Sequence, residues 1–193
     1  VNKRKIRVKD AVNTVWWFSK TEWPKSDITK VLAPYSDRMK KLIEDPDKFY
    51  TPKMRPSGHD IGKSFAKDNG GAIPPNLLQI PNSESAGQYQ AGCKLVGVKA
   101  HPARFPAKLP EFFIKMLTEP GDLVVDIFGG SNTTGYVAEQ LNRRWKSFEL
   151  SNEYVAASTL RFLPDSSTEE DLKETYENVL QGQSVSLNDP TAF

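Results

Sequence analysis

Residues 122–135, DLVVDIFGGSNTTG, constrain the fold more than any other stretch. Leu123, Val124 and Val125 form an unbroken apolar run, the pattern of a short strand covered on both faces. The run ends on a carboxylate, Asp126, and Gly129, Gly130 and Ser131 then make a turn of small residues. Asn132 to Leu141 reads as a helix. A strand, a small-residue turn and a helix in succession bring backbone N–H groups close to a ligand. WKSFEL at 145–150 reads as a second strand and carries Glu149, 23 residues after Asp126. In βαβ nucleotide sites an acid about 20 residues beyond the turn accepts hydrogen bonds from ribose hydroxyls. The turn does not spell G-x-G-x-x-G. Two readings therefore stand, a site for an adenosine-containing cofactor and a tightly packed turn without a ligand.

The 193 residues suffice for one domain of ordinary size. No apolar run is long enough to span a bilayer, and the basic start, VNKRKIRVKD, lacks the apolar core of a signal peptide. That start also lacks an initiator Met, so the chain reads as a piece of a longer one. The sole cysteine, Cys93, excludes an internal disulfide and fits the reducing cytoplasm. One Cys with only His59 and His101 argues against a metal site. Charge is unevenly spread. Residues 1–70 carry 16 Lys+Arg against 9 Asp+Glu, whereas residues 119–193 carry 5 against 13. A basic first part and an acidic last part suit a polyanionic partner on one side only.

Residues 12–20, VNTVWWFSK, are β-branched and aromatic and read as a strand. Met39, Leu42 and Ile43 predict a short helix over 35–44. Residues 46–100 are rich in Pro, Gly, Ser and Asn and read as an irregular surface insert. AKLPEFFIKMLT at 107–118 predicts an amphipathic helix with a stripe of Leu109, Phe112, Phe113, Met116 and Leu117. Ser151-Asn152 caps a helix over 153–162, and Ser167 with Glu170 has capping-box spacing before a last helix.

HPARFP at 101–106, DIFGGSNTTG at 126–135 and FELSNEY at 148–154 together resemble the β-group amino-methyltransferases of DNA. The best match is the branch that methylates the exocyclic amine of cytosine, with the adenine branch second. VNTVWWFSKTEWPKSD at 12–27 resembles the family's segment after its catalytic strand. The resemblance implies S-adenosylmethionine as cofactor and double-stranded DNA as partner. It implies that Asp126, Phe128, Gly129, Gly130 and Ser131 wrap the methionine and sulfonium end, with Asn132, Thr133 and Leu150 as further cofactor contacts. Glu149 would hold the ribose hydroxyls, with Arg104 near the cofactor carboxylate and Phe105 as an apolar wall. Trp23, Lys25, Lys53, Arg55, Lys63 and Lys67 are candidate DNA contacts, and Lys3, Arg4, Lys5, Arg7 and Lys9 candidate phosphate grips. Two departures touch the turn, Ile127 where the family has Pro and Asn132 where it has Gly; Asn tolerates a left-handed backbone. A third touches catalysis. The family's Ser, Asp or Asn followed by Pro-Pro and an aromatic is not found, and Ile73-Pro74-Pro75-Asn76 does not fit it.

The expected fold is α/β, a Rossmann-like S-adenosylmethionine-dependent methyltransferase fold, partial in extent, with an irregular target-recognition insert. Its expected parts are core at 1–45, the insert at 46–100, cofactor-binding core at 101–163, and a terminal helix and tail at 164–193. The expected function is N4-cytosine DNA methylation in a restriction-modification system. The alternatives are N6-adenine methylation, a non-catalytic half of a split enzyme, and a dinucleotide oxidoreductase. A sheet left partly bare would be covered by a missing half, a second subunit or a homodimer partner.

Overall fold

The computed structural model describes residues 12–49, 56, 66–81 and 87–187. In chain order its elements are α1 (Asp37–Glu44), α2 (Pro46–Phe49), α3 (Gln88–Val96), α4 (Lys108–Leu117), β1 (Leu123–Asp126), α5 (Thr133–Gln140), β2 (Arg144–Ser147), α6 (Asn152–Thr159) and α7 (Glu169–Leu180). A single 3-10 turn, Ile28–Val31, precedes α1. Strands β1 and β2 are parallel, in register from Leu123 opposite Arg144 to Asp126 opposite Ser147. Parallel neighbours need a crossover, which α5 supplies while packing on both strands.

Among the described residues the core has two centres. Ile114 of α4 and Val137 and Ala138 of α5 are buried together, with Val124 and Trp145 of the strands against them. Tyr89 and Cys93 of α3, Ala157 and Leu160 at the end of α6, and Leu172 of α7 form the second. Phe162, just past α6, packs on the first centre, stacking on Trp145 at 5.0 Å between ring centroids and meeting Tyr136 edge-on at 6.0 Å. Gly92 lets α3 approach α6, because a Cβ there would lie 3.1 Å from Leu160 Cβ.

Several sequence expectations give way. Residues 12–19 form no strand; Trp16, Trp17 and Phe18 are 76%, 52% and 83% exposed. β-branched and aromatic residues favour a pleated, half-buried surface, and no described strand pairs with this segment. The β1 run is covered on one face only. Val124 packs inward, whereas Leu123 and Val125 are 46% and 51% exposed. The insert is not irregular throughout, since α3 carries Tyr89 and Cys93 into the core and ends on Gly97 with a left-handed φ of 77°. The last helix begins one residue later than its spacing suggested, with the capping box on Thr168 and Asp171. In α4 the buried residues are Pro110 and Ile114, and the expected stripe residues are half-buried.

The helices expected over 35–44 and 153–162 are present as α1 and α6. Ser36 caps α1 by accepting from the Met39 amide, and Ser151 caps α6 by accepting from the Tyr154 amide. Ion pairs Lys25–Asp122 and Lys30–Glu119 and the bond from the Asp27 amide to the Met116 carbonyl fasten residues 25–30 beside the start of β1. Ala33 and Ala72 form an antiparallel bridge that anchors residues 66–81. Among the described residues no helix is long and apolar enough to cross a membrane.

Candidate functional site

The site is built on the turn between β1 and α5. Asp126 closes β1, and its Oδ1 accepts the Phe128 amide at 3.0 Å while Oδ2 accepts the Thr134 hydroxyl at 2.6 Å. Glu149, two residues beyond β2, accepts the Gly130 amide at 2.9 Å through Oε2 and the Ser151 amide at 3.0 Å through Oε1. The two carboxylates therefore grip one turn from the ends of neighbouring strands. The Gly129 amide adds a third link, donating to the Phe148 carbonyl at 2.8 Å.

The small residues follow from contacts. A Cβ on Gly129 would stand 2.1 Å from Ser147 Oγ. Gly130 has a φ of 52°, and a Cβ there would meet the His101 ring at 3.2 Å. Asn132 also lies in the left-handed region, with φ 53° and ψ 40°, and its Oδ1 caps α5 by accepting the Gly135 amide at 3.2 Å. The departure from glycine at this position is accommodated as expected. Ser131, Asn132 and Thr133 are each 4% exposed.

The HPARFP segment flanks the turn. The His101 ring packs edge-on against Tyr154 at 4.4 Å as well as against Gly130, and its amide donates to Tyr89 Oη at 2.9 Å. Arg104 donates from its guanidinium to the His101 carbonyl, and Phe105 is 41% exposed. Hydrogen bonds hold Glu149 below its ordinary carboxylate value. The Ser151 amide is the chief cause, and after the opposing effect of burial comes the Gly130 amide. The anion is therefore the resting form, as an acceptor for a diol requires.

Two large apolar side chains project from the strand ends, Phe128 and Leu150, at 84% and 98% exposed. Behind the turn a cavity of about 400 Å³ lies between Glu139 of α5, Trp145 and Ser147 of β2, Thr159 of α6, and residues 185–187. Gly130, Asn132 and Glu149 border it; Asp126 and Phe128 are not among its walls. Of the two acids, Glu149 alone adjoins it.

The structure thus gathers Asp126, Phe128, Gly129, Gly130, Ser131, Asn132, Thr133, Glu149 and Leu150 about one turn, with Arg104 and Phe105 on the adjoining segment. The DNA candidates are scattered. Trp23 is 86% exposed and Lys67 is exposed. Lys25 is paired with Asp122, which precedes β1, so it sits at the opposite end of that strand from the turn. Lys53, Arg55, Lys63, His59 and the basic run Lys3, Arg4, Lys5, Arg7 and Lys9 lie outside the described residues. The sequence reading missed three side chains that shape the turn: the His101 ring, Tyr89 and Arg161. Arg161 Nε donates to the Ser131 carbonyl at 2.9 Å. His-Pro beside the turn was an available signal for His101; Arg161 had none, because its partner lies 30 residues away.

Comparison with known proteins agrees with this geometry. A family model described as DNA methylase matches residues 1–160. The chain is 79% identical over 188 residues to Type II methyltransferase M.PvuII of Proteus hauseri, covering 97% of this chain and 56% of that protein. It is 42% identical over 142 residues to Type II methyltransferase M.BglII of Bacillus subtilis, covering 74% of this chain and 33% of the relative. Among solved structures it resembles the PvuII DNA methyltransferase (cytosine-N4-specific), with a TM-score of 0.74 at 60% identity over 98% of this chain and 54% of that one. The chain thus spans about half the length of the first of these relatives and of that solved structure. The fold is α/β with a parallel sheet, of the methyltransferase kind expected from the sequence. Match and geometry agree: the chain belongs to the DNA methylase family.

Proposed function

We propose that this chain is the cofactor-holding part of a site-specific DNA methyltransferase that transfers a methyl group from S-adenosylmethionine to the exocyclic N4 amine of cytosine, within a restriction-modification system. The observation that carries the proposal is the double grip of Asp126 and Glu149 on one small-residue turn, in a chain 79% identical to a Type II methyltransferase.

The residues present fit such a cofactor. Gly129 and Gly130 let the turn close against Ser147 and the His101 ring, which holds its backbone beside Glu149. Glu149 is anionic, and each of its oxygens keeps acceptor capacity beyond its amide bond for a ribose diol. Phe128 and Leu150 offer apolar cover for an adenosyl group at the strand ends, and Arg104 is the cation on the adjoining segment. When bound, the cofactor supplies an electrophilic methyl group on a sulfonium. The chain's own work is to hold it, orient it and exclude water from it. Trp23 and Lys67, both exposed, and Lys25 are the described candidates for DNA contact, with Lys53, Arg55 and Lys63 as further candidates. Residues 1–193 hold no Ser, Asp or Asn before a Pro-Pro-aromatic. The reading therefore assigns the acceptors for the target amine to polypeptide outside these residues.

Calorimetric titration with S-adenosylhomocysteine tests the reading. The unaltered chain should bind it, and Asp126→Ala and Glu149→Ala should each weaken it by about tenfold or more. Unchanged affinity in both variants would remove the cofactor assignment. Nucleoside analysis of DNA methylated by the full-length protein should give N4-methylcytosine; N6-methyladenine would move the chain to the other branch.

A further inference from the structure

We propose that Arg161 is a positioning residue for the cofactor turn, a role that rests on the cofactor reading above. Arg161 lies just past α6, far from the turn in sequence. Its Nε donates to the Ser131 carbonyl at 2.9 Å, and its Nη2 approaches Thr133 Oγ1 at 3.4 Å. Those contacts bracket Asn132, the left-handed residue. The peptide unit joining Ser131 to Asn132 is held at both ends. Its carbonyl accepts from Arg161, and its N–H donates to the Gly129 carbonyl at 2.7 Å. A peptide fixed at both ends does not flip, so the neighbouring amides of the turn keep their aim. With Ser131 only 4% exposed, water does not readily replace the guanidinium.

The guanidinium is itself held. It lies over the Tyr89 ring at 5.0 Å and over the Tyr136 ring at 5.5 Å, cation on aromatic face. Tyr89 is 2% exposed, and its Oη accepts the His101 amide. A single ring from α3 thus supports both Arg161 and the HPARFP segment. A flat cation with several donors is needed here; an ammonium keeps one bond and loses the stacking face. Arg161 acts through the turn and is not assigned a contact with any reacting group.

The test compares the unaltered chain with Arg161→Met, Arg161→Lys and, as a control for general loosening, Leu172→Ala in the neighbouring core. S-adenosylhomocysteine affinity is titrated well below each melting midpoint. Arg161→Met should lose about tenfold or more in affinity, the worth of a charge-assisted bond to a buried carbonyl. Arg161→Lys should fall between it and the unaltered chain. Leu172→Ala should melt earlier and bind as before. Equal affinity in Arg161→Met overturns the role; should that variant not fold, equal affinity in Arg161→Lys does so. Equal weakening in Leu172→Ala also overturns it, because loosening alone would then explain the loss. An unaltered chain that does not bind S-adenosylhomocysteine removes the cofactor reading and this role with it, whereas binding that is indifferent to Arg161 removes this role alone.

Discussion

Asn132 carries two loads, and substitution separates them. Its backbone is left-handed, and its side chain caps α5 through the Gly135 amide. Asn132→Ala removes the cap, at about 1 kcal/mol, and forces a Cβ residue without a local hydrogen bond into the left-handed region, at about 1–2 kcal/mol. The expected loss is about 2–3 kcal/mol. For a chain of this size that lowers the melting temperature by about 5–10 °C. Asn132→Gly also lacks the side-chain cap, but Gly accepts positive φ freely and costs only a few tenths of a kcal/mol as an N-cap replacement. Its loss should stay under about 1 kcal/mol. The larger part of the difference between the two variants is backbone strain, the rest being the poorer N-cap that Ala makes. Urea unfolding measures both, provided the m-values agree, because a changed m reports a changed state rather than a changed contact. If Ala and Gly proved equally stable, the left-handed backbone would not be the cause, and the account of the turn would fail.

Two further expectations concern pH. Glu149 has a lowered value when folded, so its stabilising effect is complete above its ordinary value of 4.5 and is lost as pH falls through the lowered one. The stability gap between the unaltered chain and Glu149→Gln should therefore close in acid; a gap that does not depend on pH would contradict the two amide bonds. Tyr89 has its hydroxyl pushed up to about 12, chiefly by burial. Its raised value means that stability is intact below pH 10, the ordinary value, and declines as pH rises toward 12. Absorbance titration of the phenols should show a late phase that is diminished in Tyr89→Phe, with Tyr176, also raised by burial, unaffected by that change.

The central unit was legible because its signals are local. Three apolar residues, a carboxylate, small residues and a helix follow one another from 123 to 140, and no distant contact is needed to read them. Even Asn132 announced its conformation, since few other side chains accept it. What failed was whatever depended on a neighbour. Trp16, Trp17 and Phe18 carry strand propensity, but a strand exists only where another pairs with it. The run at 123–125 suggested two covered faces because apolar residues record a tendency to be buried, not which face is covered. Helix α3 was hidden by Gln88, Gln90 and Gly92. Its legible signals were Tyr89, Cys93 and Val96 on one side and Gly97 beyond its end. The capping box slipped by one because Ser167-Thr168 and Glu170-Asp171 offer two overlapping frames. Arg161 was invisible for a different reason: an isolated arginine after a helix resembles any solvated charge until its three-dimensional neighbours are known.

The three grips on the turn have a consequence for speed as well as strength. With Asp126 on Phe128, Glu149 on Gly130 and Arg161 on Ser131, the loop surrenders its freedom when the chain folds, before any visitor arrives. Whatever settles there meets a finished mould and has little disorder left to quench, so association proceeds without waiting for the loop to find its shape.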